Sequence, residues 1–452
     1  MPSSRDQQRL DAARRILQHL AGALDARFSV RLWDGSIVPL GQDADPKYFI
    51  SISGPGVIGS ILRRPTLENI LRHYAAGAID FHGGDLIEFG EVARSKRART
   101  RMRGLSKSLL VREALGLLLT PPDKAELQHG FGDDETGRLE NRRNNKEFIQ
   151  FHYDVSNEFY QLWLDPEMQY SCAYFTDWNN SLEQAQLNKL EMICRKLRLQ
   201  SGEKMLDIGC GWGGLICYAA QHYGVQAHGV TLSQAQHDFA QEKITRLGLQ
   251  DRVTVELRDY AEVTGTYDKI SSVGMFEHIG IANFPTYFNK VNSLLRDRGI
   301  FLNHGITRRA KANKKNFKKI TPEKRLILKY IFPGSELDHV GHVQESMEAC
   351  NFEIHDVEGW RWHYGLTTRM WCQRLSARRE EAIKLVGPER YRLWVAYLAA
   401  VSFNFADGPL RLYQIVATKH GAKGPSGMLP TREDLYARPF PIISDEARKR
   451  ND

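Results

Sequence analysis

The run Met205-Leu-Asp-Ile-Gly-Cys-Gly-Trp-Gly-Gly214 constrains this chain more than any other stretch. Its apolar residues form the end of a buried strand, Asp207 stands at the carboxyl edge, and Gly209, Gly211, Gly213 and Gly214 follow. Glycines at such a place let the backbone approach a ligand closely, with the next helix starting directly behind. No Lys-Ser/Thr follows, so the loop lacks the triphosphate cradle of a P-loop. Around it the chain alternates strand and helix, with strands expected at 204–208, 226–231, 252–256, 268–274 and 299–304. That alternation reads as an α/β, doubly wound sheet that takes ligands at its strand carboxyl ends.

A chain of 452 residues is too long for one compact core, and two domains are expected. Residues 1–119 read as a small α+β module: a helix over 5–25, a hairpin turning at Asp34-Gly35, a strand from Phe49, a helix over 66–76 and a strand from Ile79. The polar, proline-bearing stretch 120–146 reads as a linker. Residues 147–420 then form the α/β domain and 421–452 a tail. The net charge of +8 is compatible with anionic lipid or nucleic acid, or with solubility alone. The six cysteines show no CxxC pair and no metal-ligand spacing, the start lacks the apolar core of a signal peptide, and no run of about 18 apolar residues occurs. A cytoplasmic protein with free thiols and no metal is expected.

The strand ends carry the polar residues. After the second strand come Thr231 and Gln236, uncharged groups able to hydrogen-bond a ribose or a methionine moiety, with Ser233 placed to cap the following helix. The third strand ends at Asp259-Tyr260, suited to an adenine amine and the wall of its pocket. The fourth ends in Ser271-Ser-Val-Gly-Met-Phe-Glu-His-Ile-Gly280, setting Glu277 and His278 at the rim, and the fifth brings His304 there. A single histidine at such a place is usually structural; consecutive strand ends bearing Asp259, Glu277 and His304 point to a site.

Upstream lie His152-Tyr-Asp-Val-Ser-Asn157 and Met168-Gln-Tyr-Ser-Cys-Ala-Tyr174. With the glycine loop, Gly229-Val-Thr-Leu-Ser233 and the 271–280 run, they resemble, in order and over about 147–420, the cyclopropane fatty acid synthases and the related mycolic acid methyltransferases. The loop itself is similar to that of class I S-adenosylmethionine methyltransferases, and the N-terminal module fits the longer bacterial phospholipid enzymes. The resemblance implies a Rossmann-like class I fold, S-adenosylmethionine as methyl donor and an unsaturated acyl chain of a membrane phospholipid as acceptor. In that family the alkene takes the sulfonium methyl, and the resulting carbocation loses a proton to bound bicarbonate as the ring closes.

By motif position, the bicarbonate cage would comprise Cys172, Glu277, His304, the backbone at Ile306, and Tyr364. Tyr170 and Ser171 would touch the methionine end of the cofactor, Asp207 and the glycine loop its carboxylate side, and Asp259 or Tyr260 its adenine. A protonated His304 and a tyrosine hydroxyl would serve as anion donors. Phe276, Tyr174, Tyr364 and Trp371 could face the cation or be ordinary core. Cys172 is not required as a nucleophile. A methylene- or methyl-branched product, a soluble methyl acceptor, and an inactive lipid-binding protein are the competing readings.

Two basic runs, Arg94 to Arg103 and Arg308 to Lys319, hold most of the excess charge. Each is either a solvated face or a contact with an anionic leaflet, where a Lys or Arg contributes roughly 1 kcal/mol. Neither has the interleaved aromatics of a nucleic-acid surface. A homodimer bound peripherally to the inner membrane face is what the resemblance implies, with the N-terminal module serving docking or dimerisation.

Overall fold

The computed structural model describes residues 4–94, 106–121, 155–313, 317, 319–421 and 424–443. They fall into two compact units. One gathers the described part of 1–130 with 320–330 and 372–399; the other takes the described part of 131–319 with 331–371 and 400–452. The chain therefore returns twice to the first unit, a connectivity that a linear reading of composition does not contain.

The first unit opens with α1 (Ser4–Leu24), then β1 (Ser29–Arg31), β2 (Ile37–Pro39), β3 (Phe49–Ile52), α2 (Pro55–Arg63), α3 (Leu67–Ala75), β4 (Ile79–His82), α4 (Leu86–Ala93) and α5 (Lys107–Leu118). The expected hairpin is present: β1 and β2 pair antiparallel, Gly35 adopts φ +85°, and Asp34 accepts from the Ser36 N–H at 3.0 Å. The sheet order is β2-β1-β3-β4, and a core of α1, α5 and sheet residues covers one face. Both returning segments are tied in by charge. Lys329, Tyr330 and Arg72 converge on Glu68 at 3.1, 2.9 and 2.9 Å, and Arg392 grips Asp80 through two bonds of 3.0 and 2.8 Å.

The second unit begins with α6 (Asn157–Gln161) and α7 (Leu182–Leu197), followed by β5 (Lys204–Ile208), α8 (Gly214–Tyr223), β6 (Gln226–Thr231), α9 (Gln234–Arg246), β7 (Val253–Leu257), β8 (Tyr267–Val273), α10 (Phe284–Leu294) and β9 (Leu295–Arg308). In the chain after these come α11 (Pro322–Tyr330), α12 (Val340–Glu348), β10 (Phe352–Gly359), α13 (Arg361–Ala377), α14 (Arg379–Ala406, kinked at Gly387), β11 (Leu410–Lys419) and α15 (Glu433–Tyr436). The expected strands are all present, β9 being longer than the sequence suggests. The sheet order is β10-β11-β9-β8-β5-β6-β7. Strands β5 to β9 run parallel, and β11 inserts antiparallel between β9 and β10. The order reverses between β5 and β8, which places a crevice at their carboxyl ends.

Alternation along each strand divides the core between the faces. Met205, Leu302 and Val416 pack with Leu190, Ile193 and Ile216 on the α7–α8 side; Leu206, Phe301 and Ile415 pack with Phe284, Phe288 and Met347 on the other. Phe276 joins that second cluster, its ring 4.5 Å from that of Phe284, so it is core. Most of the 421–452 tail that is described also belongs to this unit: Arg195 of α7 donates to the carbonyls of Leu435, Arg438 and Pro439 at 2.8, 2.8 and 2.7 Å. The linker 120–146 lies almost wholly outside the described residues, as does most of the basic run 94–103; the run 308–319 is described in part. Within it, Arg308 lies over the Phe317 ring at 3.7 Å and donates to Leu337 O at 2.9 Å, so this arginine faces protein.

At Gly229 of β6 an added Cβ would lie 2.8 Å from Cβ and Sγ of Cys210 and from Cδ1 of Ile216. Gly229→Ala should therefore cost about 1–3 kcal/mol by overpacking beneath the glycine loop, read as a lower thermal midpoint. An unchanged midpoint would mean that the loop yields.

Candidate active site

The glycine loop leaves β5 at the point where the sheet reverses. Gly209, Gly211 and Gly213 adopt φ of +79°, +54° and +79°, the left-handed region that side chains avoid. The loop, the β6 end, the β7 end, the β8 end and the 168–171 segment together line one pocket. Of the residues expected to hold a cofactor, Tyr170, Ser171, Asp207, Gly209, Gly211, Thr231, Gln236, Asp259 and Tyr260 all line it. Gly213 does not. It is the residue before α8, and a Cβ there would meet that of Ala240 at 3.0 Å, so its role is close packing.

Several of these residues are already paired. Thr231 donates to Gln236 Oε1 at 2.9 Å, while Ser233 caps α9 as expected. Asp259 accepts from the Ala261 N–H at 2.9 Å and so shapes its own turn. Burial pushes the Tyr260 hydroxyl up to about 12. Asp207 accepts from Ser271 at 2.6 Å; burial lifts its carboxyl to about 6, against the pull of Ser271 and Lys189.

Lys189, absent from the sequence-based set, also lines the pocket. Its ammonium contacts Gln169 Oε1 and donates to Ser171 Oγ at 2.9 Å. Burial lowers it to about 8, and Asp165, Cys172 and Asp207 oppose that shift. Trp212, in the loop itself, lines the pocket and is anchored by donating to Asn157 Oδ1 at 2.7 Å. A signal for Lys189 exists in the sequence: Leu182, Ala185, Lys189, Ile193 and Lys196 fall on one helical face, and two of these core positions are lysines.

Of the expected catalytic set, Glu277 follows β8, and His304 and Ile306 lie on β9. The turn after β8 has Gly274, Met275, His278 and Ile279 on the pocket, and it carries the Glu277 carboxyl to β9, where Oε1 accepts from the Ile306 N–H at 2.5 Å. The Ile306 N–H thus orients Glu277. Burial raises the Glu277 carboxyl to about 7, opposed by that amide. Its other oxygen, Oε2, is buried with no hydrogen-bond partner among the described residues.

His304 is 1% exposed; its Nδ1 faces Gln414 Nε2 at 3.0 Å, and its Nε2 is buried without a partner among the described residues. Burial, then the charges of Lys189 and Lys196, press its pKa well below the ordinary value. The protonated His304 expected from the sequence is therefore replaced by a neutral imidazole. Cys172 is also fully buried, donates to Ala173 O at 3.3 Å and Trp360 O at 3.8 Å, and is pushed up by burial, so it stands as a thiol. Tyr364 lies on α13. Its ring packs on Phe405 and Trp371 at 4.7 and 5.9 Å; three residues on, the Thr367 hydroxyl is bonded beside Cys172 and accepts from the Ala173 N–H at 3.1 Å. Trp371 meets Tyr170 at 5.3 Å, and Tyr174 stacks on Trp360 at 4.7 Å. Chemically, the centre offers a carboxyl that changes charge near neutrality, a neutral imidazole, two small polar side chains and aromatic walls, all screened from water. Among the described residues no group of three His, Cys, Asp or Glu could hold a metal ion.

The family model of mycolic acid cyclopropane synthetase matches residues 140–415. A probable fatty acid methyltransferase of Pseudomonas putida is 36% identical over 413 residues, covering 90% of this chain and 95% of that protein. The cyclopropane-fatty-acyl-phospholipid synthase of Escherichia coli K12 is 40% identical over 268 residues, 59% of this chain and 66% of that one. Among solved structures, the mycolic acid cyclopropane synthase CmaA1 complexed with SAH and CTAB is 31% identical with a TM-score of 0.58, covering 62% of this chain and all of that one.

A carboxyl whose pKa is raised on folding stabilises the protein below its unfolded value and loses that advantage as pH climbs through the folded one. Moving Glu277 from 4.5 to about 7 corresponds to about 3 kcal/mol. Glu277→Gln should thus gain up to about 3 kcal/mol over the parent between pH ~4.5 and ~8, measured as the difference in urea midpoints at each pH. Parallel curves would show that Glu277 titrates normally.

Proposed function

The chain belongs to the mycolic acid cyclopropane synthetase family, and from that premise we propose that it converts the double bond of an unsaturated phospholipid acyl chain into a cyclopropane. It is an S-adenosylmethionine-dependent methyltransferase of the class I, Rossmann-like fold, and it acts on lipid acyl chains. The methyl donor supplies an electrophilic methyl on sulfonium. Tyr170, Ser171 and the 209–211 backbone would hold its amino-acid end, with Lys189 balancing Asp207 beneath it; Thr231 and Gln236 would meet the ribose and Asp259 and Tyr260 the adenine.

The observation that carries the reading is a pair of buried polar atoms without partners among the described residues, Glu277 Oε2 in the turn after β8 and His304 Nε2 on the adjoining β9. A buried polar atom left alone costs about 1–3 kcal/mol, so the pair is suited to something that binds there. Bicarbonate fits: a neutral His304 offers an N–H and a protonated Glu277 an O–H, while the Thr367 hydroxyl donates to His363 O at 2.7 Å. Bound there, bicarbonate would supply a base small enough to reach a methyl group. The protein's own part is to exclude water, to hold a proton at Glu277 Oε2, and to keep Cys172 as a thiol so that it does not trap a cation on the chain.

A second ending of the same methylation is a methylene- or methyl-branched chain. A relative covering 90% of this chain, described as a probable fatty acid methyltransferase, favours that ending. The lipid substrate also implies docking at the inner membrane surface from the cytoplasm, with the N-terminal module and the basic segments at the leaflet and a second copy as partner. No helix among the described residues is long and apolar enough to cross a membrane.

Purified protein, labelled S-adenosylmethionine and vesicles of unsaturated phospholipid, with and without bicarbonate, test the reading. Each modified chain should gain one CH2, resist hydrogenation, and depend on bicarbonate. Glu277→Gln should lower kcat by about 10²–10⁴. A CH2 gain that still hydrogenates, as an unsaturated methylene- or methyl-branched chain formed by loss of a different proton, selects the second ending. No lipid product despite cofactor binding overturns both.

A further inference from the structure

Three residues face one another across the sheet. Glu358 on β10 is registered opposite Gln414 on β11, which is registered opposite His304 on β9. All three share the face on which α7 lies, and Lys196 of α7 reaches the row: its ammonium pairs with Glu358 and donates to Gln414 Oε1 at 2.8 Å. Gln414 is wholly buried and Lys196 is 1% exposed.

An amide side chain is ordinarily ambiguous, because its oxygen and nitrogen are hard to tell apart. Here the chemistry removes the ambiguity. A lysine ammonium only donates, so the Gln414 atom beside it must be the oxygen. The other atom is then the NH2 group, and it too only donates, so His304 Nδ1 must present its lone pair. The single proton of the neutral ring is left on Nε2, the atom buried without a partner among the described residues.

We infer that Gln414, oriented by Lys196 and Glu358, is a positioning residue that holds His304 as the neutral tautomer with its N–H at Nε2, aimed at the reacting centre. This deepens the proposed function, on which its catalytic meaning rests. Protonating Nδ1 would set two donors against each other, and turning the amide over would set its NH2 against the ammonium. The charges that face His304 are Lys189 and Lys196, both on α7. Behind Lys196 stand Glu358, Asp356 and Arg432; Gln414 itself is neutral. The row thus presents a hydrogen-bond donor at Nε2 that does not change with pH, while Glu277 is free to titrate.

The test is two-bond nitrogen–proton NMR of the 15N-histidine-labelled full chain, with the His304 signals assigned by their loss in His304→Asn. The parent should show the Nε2–H tautomer unchanged between about pH 6 and 8, across the range where histidine usually titrates. Gln414→Glu replaces the donor by an acceptor of the same shape that Lys196 still neutralises. It should move the proton to Nδ1 and bring a His304 titration into that range. Lys196→Met, which lets the amide turn over, should give a mixture of tautomers. In methyl transfer, Gln414→Glu should lower kcat by about 10–100-fold, leave the KM for S-adenosylmethionine unchanged, and add an acid limb to the pH profile.

A parent His304 protonated at Nδ1, or tautomers indifferent to both substitutions, would overturn the positioning role whether or not lipid is methylated. The expected tautomers in a protein that methylates no lipid would leave that role standing and remove the proposed function. A fall in kcat with no change in pH profile or tautomer would make Gln414 merely structural.

Discussion

Two lysine ammonium groups buried on one face of α7 hold the centre of the second unit together. A lone ammonium in such a place costs several kcal/mol, so each must be matched by acceptors from other elements. Lys189 draws on Gln169 and Ser171 and stands among Asp165, Asp207 and Cys172. Lys196 draws on Glu358 and Gln414. One helix thereby registers the 165–171 segment, the end of β5 and the β10–β11 pair against one another. The glycine loop and His304 take their electrostatic surroundings from the two ends of the same helix face.

The parts of this arrangement visible in the sequence are those with a local signature. Apolar runs that end in glycine or a polar pair marked all five parallel strands, and the rim residues Asp259, Glu277 and His304 followed from those ends. What escaped is set by packing across long separations. The lysines of α7 break an apolar stripe, but their partners lie in segments up to 218 residues away. β11 carries no sign that it will insert between β9 and β10. Thr367 sits about one helical turn beyond Tyr364, and nothing in the spacing marked it as a partner of Cys172; the phase of α13, set by its packing, brings it there. The two returns to the first unit rest on Glu68 and Asp80, single charges whose partners have no periodicity to betray them.

Electrostatics divide the labour at the centre. Burial acts on Glu277 and His304 in chemically opposite senses, since it disfavours charge on either. It brings the carboxyl up to about 7, where its proton can be gained or lost, and takes the imidazole out of the titrating range. The same desolvation keeps the Cys172 thiol protonated and unreactive. A site that handles an electrophilic carbon benefits from having no strong nucleophile within reach, and this one achieves that by withholding water.

The antiparallel insertion of β11 bears on how the protein is made. His304 and the amide opposite it are separated by 110 residues, so a ribosome working at about 5–20 residues per second completes the ring's surroundings some 5–20 s after the histidine itself emerges. Throughout that interval β9, a strand with seven consecutive buried residues from Gly299 to Gly305, has one side paired with β8 and the other open. A long apolar edge of that kind is a template for pairing with another chain. The last strand is therefore also the one that closes the sheet against its neighbours in the cell, and a message truncated before residue 410 would yield an adhesive polypeptide as well as an incomplete enzyme.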